Sequence, residues 1–438
     1  MSGVPSTVDL VVCARHVITV DGADRVIRDG AVAIRDGRIV AVGTAIEVLA
    51  HHSPLRQINA PFGILLPGFV NTHAHLAMTL FRGAADDLSL EAFLNRLIPL
   101  ESKSLTPDRV AAGTKLGALE AVLAGTTTVL DMYFYPEDAR RAAEDVGIRL
   151  LTGPVFIDTE GPDGMGFDDR LLFATALLDS RSAESADDDI AVLAPHSLYA
   201  LDPARVRAVA ELGAEYGAVV QIHAAETATE VATVSKRHGQ RPVRLLADLG
   251  VLDLVRTVIA HGVHLDDNEI SLLADHPTAT VAHCPGSNLK LASGIAPIAR
   301  LRDAGVAVAL GTDGPASSND LDPWRIMRLA AILHGLRATD ALRTATLGGA
   351  AALGLDHATG SIELGKWADL VIVDGDQPHL TPLIDPVAGL VHAAGRADVS
   401  DVFVRGRHIV ESGISTMIDT RATMDDVSRH TNEIMKHA

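Results

Sequence analysis

Ile64-Leu65-Leu66-Pro67-Gly68-Phe69-Val70-Asn71-Thr72-His73-Ala74-His75 is an apolar run that ends on two imidazoles. Read as a β-strand, it places His73 and His75 on one side of the strand's mouth, because side chains alternate with a period of two. Two imidazoles so placed can reach one cation. The same punctuation recurs further along the chain. His223 closes Val219-Val220-Gln221-Ile222, His261 closes Thr257-Val258-Ile259-Ala260, and Asp313 closes Ala307-Val308-Ala309-Leu310-Gly311-Thr312. An H-x-H pair alone is a weak signal. Followed by a histidine and an aspartate at later strand ends, it marks a metal site. Three imidazoles and one carboxylate form a borderline-soft set that suits Zn²⁺ and tolerates Fe²⁺, Mn²⁺ or Co²⁺.

Polar residues at most strand ends, including the last, also decide the fold class. Between about residues 66 and 354, strands and helices alternate, and eight strands can be placed, the third near Ile148–Leu151 and the fourth at Ile190–Ala194. One helix opens Thr106-Pro107-Asp108, a cap followed by proline at the first helical position, and another opens Leu201-Asp202-Pro203 and stops near Gly217. This pattern predicts an α/β chain whose middle closes into a parallel (β/α)₈ barrel with its chemistry at the carboxyl ends of the strands. An open doubly wound sheet is the alternative, but it would gather its polar residues at one switch point. The segment Asp158–Asp189, rich in Asp, Gly and Ser, reads as a long loop with a helix over the mouth.

Short strands flank this middle. Ala31–Ile34 and Ile39–Val42 surround an Asp36-Gly37 turn, and Asp401–Val404 and Arg407–Val410 form a second hairpin after the strand Asp369–Val373. Residues 1–65 and 355–438 are therefore expected to pair into one β-module, with 66–354 as the catalytic barrel.

Composition narrows the partners. The chain has 438 residues and a formal net charge of −19, which repels phosphate backbones, and only 3% aromatic residues, too few for base-stacking surfaces. No nucleic-acid polymer is expected. The sequence shows no apolar run of membrane-spanning length and no signal-peptide pattern at its start. The two cysteines, Cys13 and Cys284, lack metal or disulfide spacing and fit a reducing, cytoplasmic setting. A homo-oligomer is left open.

Glu226 lies three residues beyond His223, where a carboxylic acid can carry a proton between water and substrate. Of His261 and His264, the former ends its strand directly and is the better base or orienting group. His264 reads as a loop histidine. His283 ends the seventh strand as a supporting or mouth residue, and Cys284 beside it reads as a small buried side chain. The fourth strand ends in Pro195-His196 with no lysine to carry a metal-bridging carbamate, so a single metal is expected.

The strings PGFVNTHAHLAMTLFRGAADDLSLEAFL, APHSLY, IHAAET, AHGVHL, AHCPGSNLKLASGIAPI, LGTDGPASSND and GSIELGKWADLVIVD make the chain resemble the amidohydrolase superfamily. The resemblance is to its branch of S-adenosylhomocysteine/5′-methylthioadenosine deaminases, 8-oxoguanine deaminases and s-triazine hydrolases, and it covers about residues 28–410. It implies a distorted (β/α)₈ barrel with a composite β-sandwich from both termini. It assigns one divalent metal, with Zn²⁺ the best fit and Fe²⁺ or Mn²⁺ accommodated, to His73, His75, His223 and Asp313. It assigns proton transfer to Glu226, water activation to His261 with Asp313, and substrate contact to His196. The implied reaction replaces an exocyclic amine on a heteroaromatic ring (purine, pterin, pyrimidine or triazine) with oxygen, releasing ammonia. Loss of chloride or an alkylamine from a triazine is the alternative, as is a true S-adenosylhomocysteine/5′-methylthioadenosine deaminase.

Two departures bear on the substrate. Nucleoside deaminases of the branch place a Glu immediately before a Trp, where this chain has Ala92 and Phe93. Their L-T-R-G is here Leu151-Thr152-Gly153-Pro154, with Arg170 a candidate replacement for the missing arginine. With Ala92 lacking a polar atom and Phe93 keeping only an aromatic wall, compact heteroaromatic amines are expected to be preferred over adenosine-type nucleosides.

Overall fold

The computed structural model describes residues 5–182 and 189–436, so the sequence between, part of the expected mouth loop, lies outside the described residues. The chain opens with four strands: β1 (Ser6–Ile18), β2 (Val26–Arg35), β3 (Arg38–Thr44) and β4 (His52–Pro67). β2 and β3 form the expected hairpin, and its Asp36-Gly37 turn holds both residues at positive φ, +50° and +73°. Two positive φ values give the turn a twist that matches its strands. β4 runs parallel to β1 and leads directly to the barrel across Gly68. A Cβ at Gly68 would sit 2.2 Å from the Thr127 side chain, so only glycine lets the chain pass there.

The barrel strands are β5 (Phe69–Ala74), β6 (Thr126–Asp131), β7 (Arg149–Thr152), β8 (Val155–Phe156), β9 (Val192–Pro195), β10 (Val219–Ala224), β11 (Arg256–His261), β12 (Ala279–His283) and β13 (Ala307–Leu310). Paired neighbours run parallel, in the orders β5-β6-β7 and β8-β9-β10-β11-β12-β13. β7 and β8 are one barrel strand interrupted at Gly153-Pro154, where proline removes a ladder donor and Gly153 approaches the Val192 carbonyl. A bridge between Ala74 and Asp313 brings the first strand beside the last, helped by Asp313 N donating to His73 O at 3.0 Å. The result is the distorted (β/α)₈ barrel. Val70, Leu130, Leu151, Val192, Val219 and Val258, one from each of six strands, meet in its buried interior. The caps fall where the sequence puts them: Thr106 Oγ accepts from Arg109 N, and Asp202 from Ala204 N.

The last strands are β14 (Leu370–Asp374), β15 (Val399–Val404), β16 (Arg407–Glu411) and β17 (Ile414–Ser415). β14 pairs antiparallel with β4, giving one eight-stranded sheet in the order β17-β16-β15-β14-β4-β1-β2-β3. Both termini therefore build one sheet. Its strands share a core of Val12, Val32, Ile34, Leu370, Ile372 and Phe403. It is fastened to the barrel by Arg149 of β7, whose Nη1 donates to Asp369 Oδ2 at 2.6 Å, both side chains being buried.

Candidate metal centre and substrate pocket

β5, β10, β11 and the turn after β13 deliver His73, His75, His223, His261 and Asp313 to one buried cluster. The His73 ring centroid lies 4.8 Å from those of His75 and His223 and 5.5 Å from that of His261. Asp313 Oδ1 is 3.3 Å from His75 Nε2 and 3.8 Å from His73 Nε2. The outer ring nitrogens are spoken for. His73 Nδ1 faces Gln221 Oε1 at 3.4 Å, His75 Nδ1 meets the Met132 carbonyl at 2.6 Å, and His223 Nδ1 meets the His196 carbonyl at 2.9 Å. Oxygen partners at Nδ1 require N–H there, which leaves the Nε2 lone pairs as donors to a cation. His73 Nε2 is buried without a hydrogen-bond partner. An orphaned imidazole nitrogen beside a carboxylate and further imidazoles fits a divalent ion.

The electrostatics of His73 and His223 agree. Burial holds the His73 and His223 imidazoles well below their ordinary pKa, so both are neutral. Burial also acts to lower His75, but the Asp313 carboxylate outweighs it and raises His75 to about 9. Asp313 is pushed upward by burial, yet hydrogen bonding to His75 and the surrounding imidazoles hold it well below the usual carboxylate range. Gly314 N and Ser317 Oγ donate to its two oxygens at 2.8 and 2.7 Å and fix its direction. The backbone bends sharply to aim these groups: Ala225, His261 and Asp313 are non-glycine residues at φ of +55°, +74° and +61°. Each such residue costs on the order of 1–3 kcal/mol, and such costs collect at functional sites.

Beside the cluster, Glu226 Oε2 lies 3.8 Å from His261 Nε2, and Glu226 Oε1 accepts from Ser293 Oγ at 3.2 Å. Burial raises the Glu226 pKa, which suits a proton donor. His261 Nδ1 is tied to Asn288 Oδ1 at 2.8 Å, and the carboxylate of Glu230 accepts from Ala225 N and Glu226 N, clamping the loop that carries the acid. The sequence reading missed Gln221, Asn288 and Glu230; an amide or carboxylate one strand or turn away carries no local motif. His196 is half-buried, its ring's loss of solvation lowers its pKa to about 4, and it lines the same pocket.

The inner cavity, about 90 Å³, is floored by His75, His196, His223, Glu226, His261 and Asp313, and Phe93 and its helix wall it. Across Leu90, Leu94, Tyr199 and Leu291 it adjoins an outer cavity of about 460 Å³ with Glu91, Thr227, Thr229, Glu230 and His264 on its walls. Several residues weighed from the sequence fall elsewhere. Ala92 is on the exposed side of the helix Leu90–Ser104 and lines neither cavity. Arg170 is buried in an ion pair with Asp163 at 2.7 Å, bonds the Val155 carbonyl, and borders a different cavity. It is not a stand-in for the missing arginine of the site. His264 Nε2 meets the Ser293 carbonyl at 2.7 Å, and His283 Nε2 meets His334 Nε2 at 3.2 Å away from the site cavity. Cys284 is buried, which pushes its thiol well up and leaves it without thiolate character.

Residues 64–409 match the Amidohydrolase family. A 5-methylthioadenosine/S-adenosylhomocysteine deaminase of Natronomonas pharaonis is 42% identical over 413 residues, 92% of this chain and 93% of its own. The crystal structure of an adenosine deaminase from Xanthomonas campestris with bound zinc superposes with a TM-score of 0.95 at 37% identity, covering 99% of this chain and 100% of that one. The atrazine chlorohydrolase of Arthrobacter aurescens, complexed with zinc, gives a TM-score of 0.87 at 26% identity, covering 96% and 100%. The chain belongs to the amidohydrolase family. Within it, this is a metal-dependent aminohydrolase, a hydrolase of carbon–nitrogen bonds other than peptide bonds.

Proposed function

We propose that the chain is a mononuclear deaminase of 6-aminopurine-type rings, with the metal, best matched by Zn²⁺, held by His73, His75, His223 and Asp313. The observation that carries this reading is Glu226, a buried acid beside His261 and across one small pocket from the imidazole–carboxylate cluster. A cation held there would supply Lewis acidity that lowers the pKa of water towards neutrality. Asp313 and His261 take the proton of the attacking water. Glu226 would deliver a proton to the ring nitrogen next to the carbon that bears the amine, the proton held by Asp313 and His261 would pass to the exocyclic amine, which leaves as ammonia, and the remaining hydroxyl proton would return to Glu226 as the carbonyl forms. His196 and Phe93 border the ring's place. Pro195-His196 at the end of β9 gives no lysine for a second metal.

Ala92 faces solvent, so its lack of a polar atom sets no preference for compact free bases. The outer cavity instead offers Glu91, Glu230, Thr227 and Thr229 to a polar substituent. With the deaminase relative, this favours adenosines altered at the 5′ position over free bases. The two cysteines, neither in a disulfide, fit a cytoplasmic enzyme. No helix among the described residues is long and apolar enough to cross a membrane.

Ammonia release from 5′-methylthioadenosine, S-adenosylhomocysteine, adenosine, adenine, guanine, a pterin and an aminotriazine tests the reading. Highest kcat/KM on a 5′-altered adenosine is expected. Turnover of the free bases alone would return the substrate to compact rings. Chloride release from a chlorotriazine without ammonia release would favour the triazine reading, for which the likeness to the chlorohydrolase speaks.

A further inference from the structure

The barrel is not hydrogen-bonded evenly around its circumference. β10 and β11 pair residue by residue from Val219–Arg256 to Ala224–His261, and β12 pairs with β13 as far as His283–Leu310. Between the last strand and the first, no ladder forms among the described residues. The backbones meet at the isolated bridge of Ala74 with Asp313 and at the bond from Asp313 N to His73 O. Two features open this seam. Asp313 has a φ of +61°, outside strand geometry, and β5 slips register against β6 between Asn71 and Ala74. Side chains close it again. Asn71 Oδ1 accepts from His73 N at 3.3 Å and from Thr312 N at 3.1 Å, and its Nδ2 donates to Thr312 Oγ1 at 2.7 Å. Thr312 Oγ1 in turn donates to the Asp313 carbonyl at 3.1 Å, and Thr72 Oγ1 donates to the Leu310 carbonyl at 2.9 Å. Asn71, Thr72 and Thr312 are all buried. The Asn71 amide thus takes the part of a peptide unit, offering one acceptor and one donor to the strand beside it.

We infer that Asn71 is a positioning residue for the proposed metal ligands: its side-chain amide, seated on Thr312, fixes the spacing of His73 and His75 from Asp313 across the open seam of the barrel. The assignment rests on the metal-dependent reading above, in which these three residues hold the ion. Asn71 lines neither the inner nor the outer cavity, so it acts through the ligands and not on the substrate. The rings and the carboxylate already have their own orienting partners, His75 in Met132 O and Asp313 in Gly314 N and Ser317 Oγ. What those partners leave unset is the distance between the two backbones. Zn–N and Zn–O bonds run to about 2.0–2.2 Å, so a seam that relaxes by a fraction of an ångström spoils the set.

The test uses the full chain, stripped of metal and reloaded with Zn²⁺ or Co²⁺. Affinity is read by competition with a chromophoric chelator, and ligand geometry by the visible absorption bands of the Co²⁺ form. Asn71→Ala should bind Zn²⁺ about ten- to a hundredfold more weakly than the wild type and shift the Co²⁺ bands. Thr312→Val removes the hydroxyl that receives the amide and should weaken Zn²⁺ binding about three- to tenfold. Thr312→Ser restores the hydroxyl and should return to within about twofold of the wild type. This second pair keeps the inference testable if Asn71→Ala fails to fold. Wild-type Zn²⁺ affinity and Co²⁺ bands in a folded Asn71→Ala, or a Thr312→Ser as weak as Thr312→Val, would overturn the assignment and leave the amide a brace for the fold. A wild type that takes up no ion on reloading, or an ion still held in both His73→Ala and Asp313→Ala, would instead overturn the metal reading on which it rests.

Discussion

Two buried carboxylates sit at opposite ends of the barrel, and their surroundings differ in kind. At the junction with the terminal sheet, Asp369 accepts from Arg149 Nη1, Thr359 Oγ1 and Arg405 N at 2.6, 2.6 and 2.7 Å. Its charge is met by one cation and by donors in good geometry, as a structural ion pair requires. At the mouth, Asp313 faces imidazoles that crowd one another, and one of them, His73, has an inward nitrogen with no hydrogen-bond partner. The first environment is closed and self-sufficient. The second is completed only by something from outside. Damage at the junction should therefore appear as lost stability, and damage at the mouth as lost chemistry.

The sharpest break of that contrast lies in the proposed metal ligands. His73→Ala or Asp313→Ala should bring both metal retention and turnover to background while leaving the metal-free protein folded by circular dichroism. Elemental analysis of the wild type should give close to one equivalent per chain. Two tightly held equivalents in an active preparation would end the one-metal assignment. Next in size, Glu226→Gln should keep the metal and lose roughly 10²–10⁴-fold in rate, because the amide cannot cycle a proton. Near-normal turnover would move the proton transfer to His261.

On the structural side, Asp369→Ala leaves the Arg149 guanidinium buried beside a missing partner. A cost of about 3–5 kcal/mol should show as a lower urea midpoint, with kcat per folded, metal-loaded molecule unchanged. A fall in kcat of the folded fraction would show that the junction and the mouth are not separable. The smallest effect concerns Asp401 in β15, whose Oδ1 meets His408 Nε2 at 2.8 Å. Burial acts to raise its pKa, but the hydrogen bonds from His408 and Ser400 leave it lowered. A carboxylate with a depressed folded-state pKa stabilises fully above the unfolded value, near pH ~4, and loses that contribution as pH falls through the folded-state value. The wild type should therefore exceed Asp401→Asn by no more than about 1 kcal/mol at neutral pH, with the gap closing in acid. A gap that widens on acidification would contradict this account.

The sequence made the barrel readable because three histidines and an aspartate stand directly at the ends of apolar runs, and period-two alternation settles which way His73 and His75 point. The terminal hairpins were equally plain from Asp36-Gly37 and Arg405-Gly406. Their extent was not: β1 and β4 hold Arg, Gln and Asn on exposed faces, so neither stood out as one long strand. The break of β7 from β8 followed from Gly153-Pro154, which the sequence reading had treated only as a lost arginine. At the site, what could not be read is whatever depends on contacts between distant segments. Ala92 and Phe93 are neighbours in sequence, yet helical geometry sends one to solvent and the other to the pocket. Glu101 lies on a helix and Tyr133 in the loop after β6, and only packing brings the Tyr133 hydroxyl to the Glu101 carboxylate. Arg170 was weighed as a substrate contact, but Asp163, seven residues earlier in the loop that precedes its helix, already holds its guanidinium.

The pairing of β14 with β4 also sets an order on synthesis. The edge of β4 that receives β14 is made roughly 300 residues before its partner. At about 5–20 residues per second, a nascent chain leaves that edge open for some 15–60 s. The barrel strands emerge in the interval and can assemble on their own parallel neighbours, but the sheet that anchors the first of them cannot close until the ribosome has nearly finished. A stall or early stop in the last quarter of translation would leave a nearly complete barrel beside an unpaired apolar strand edge, the form of this protein most open to strand exchange and to capture by chaperones.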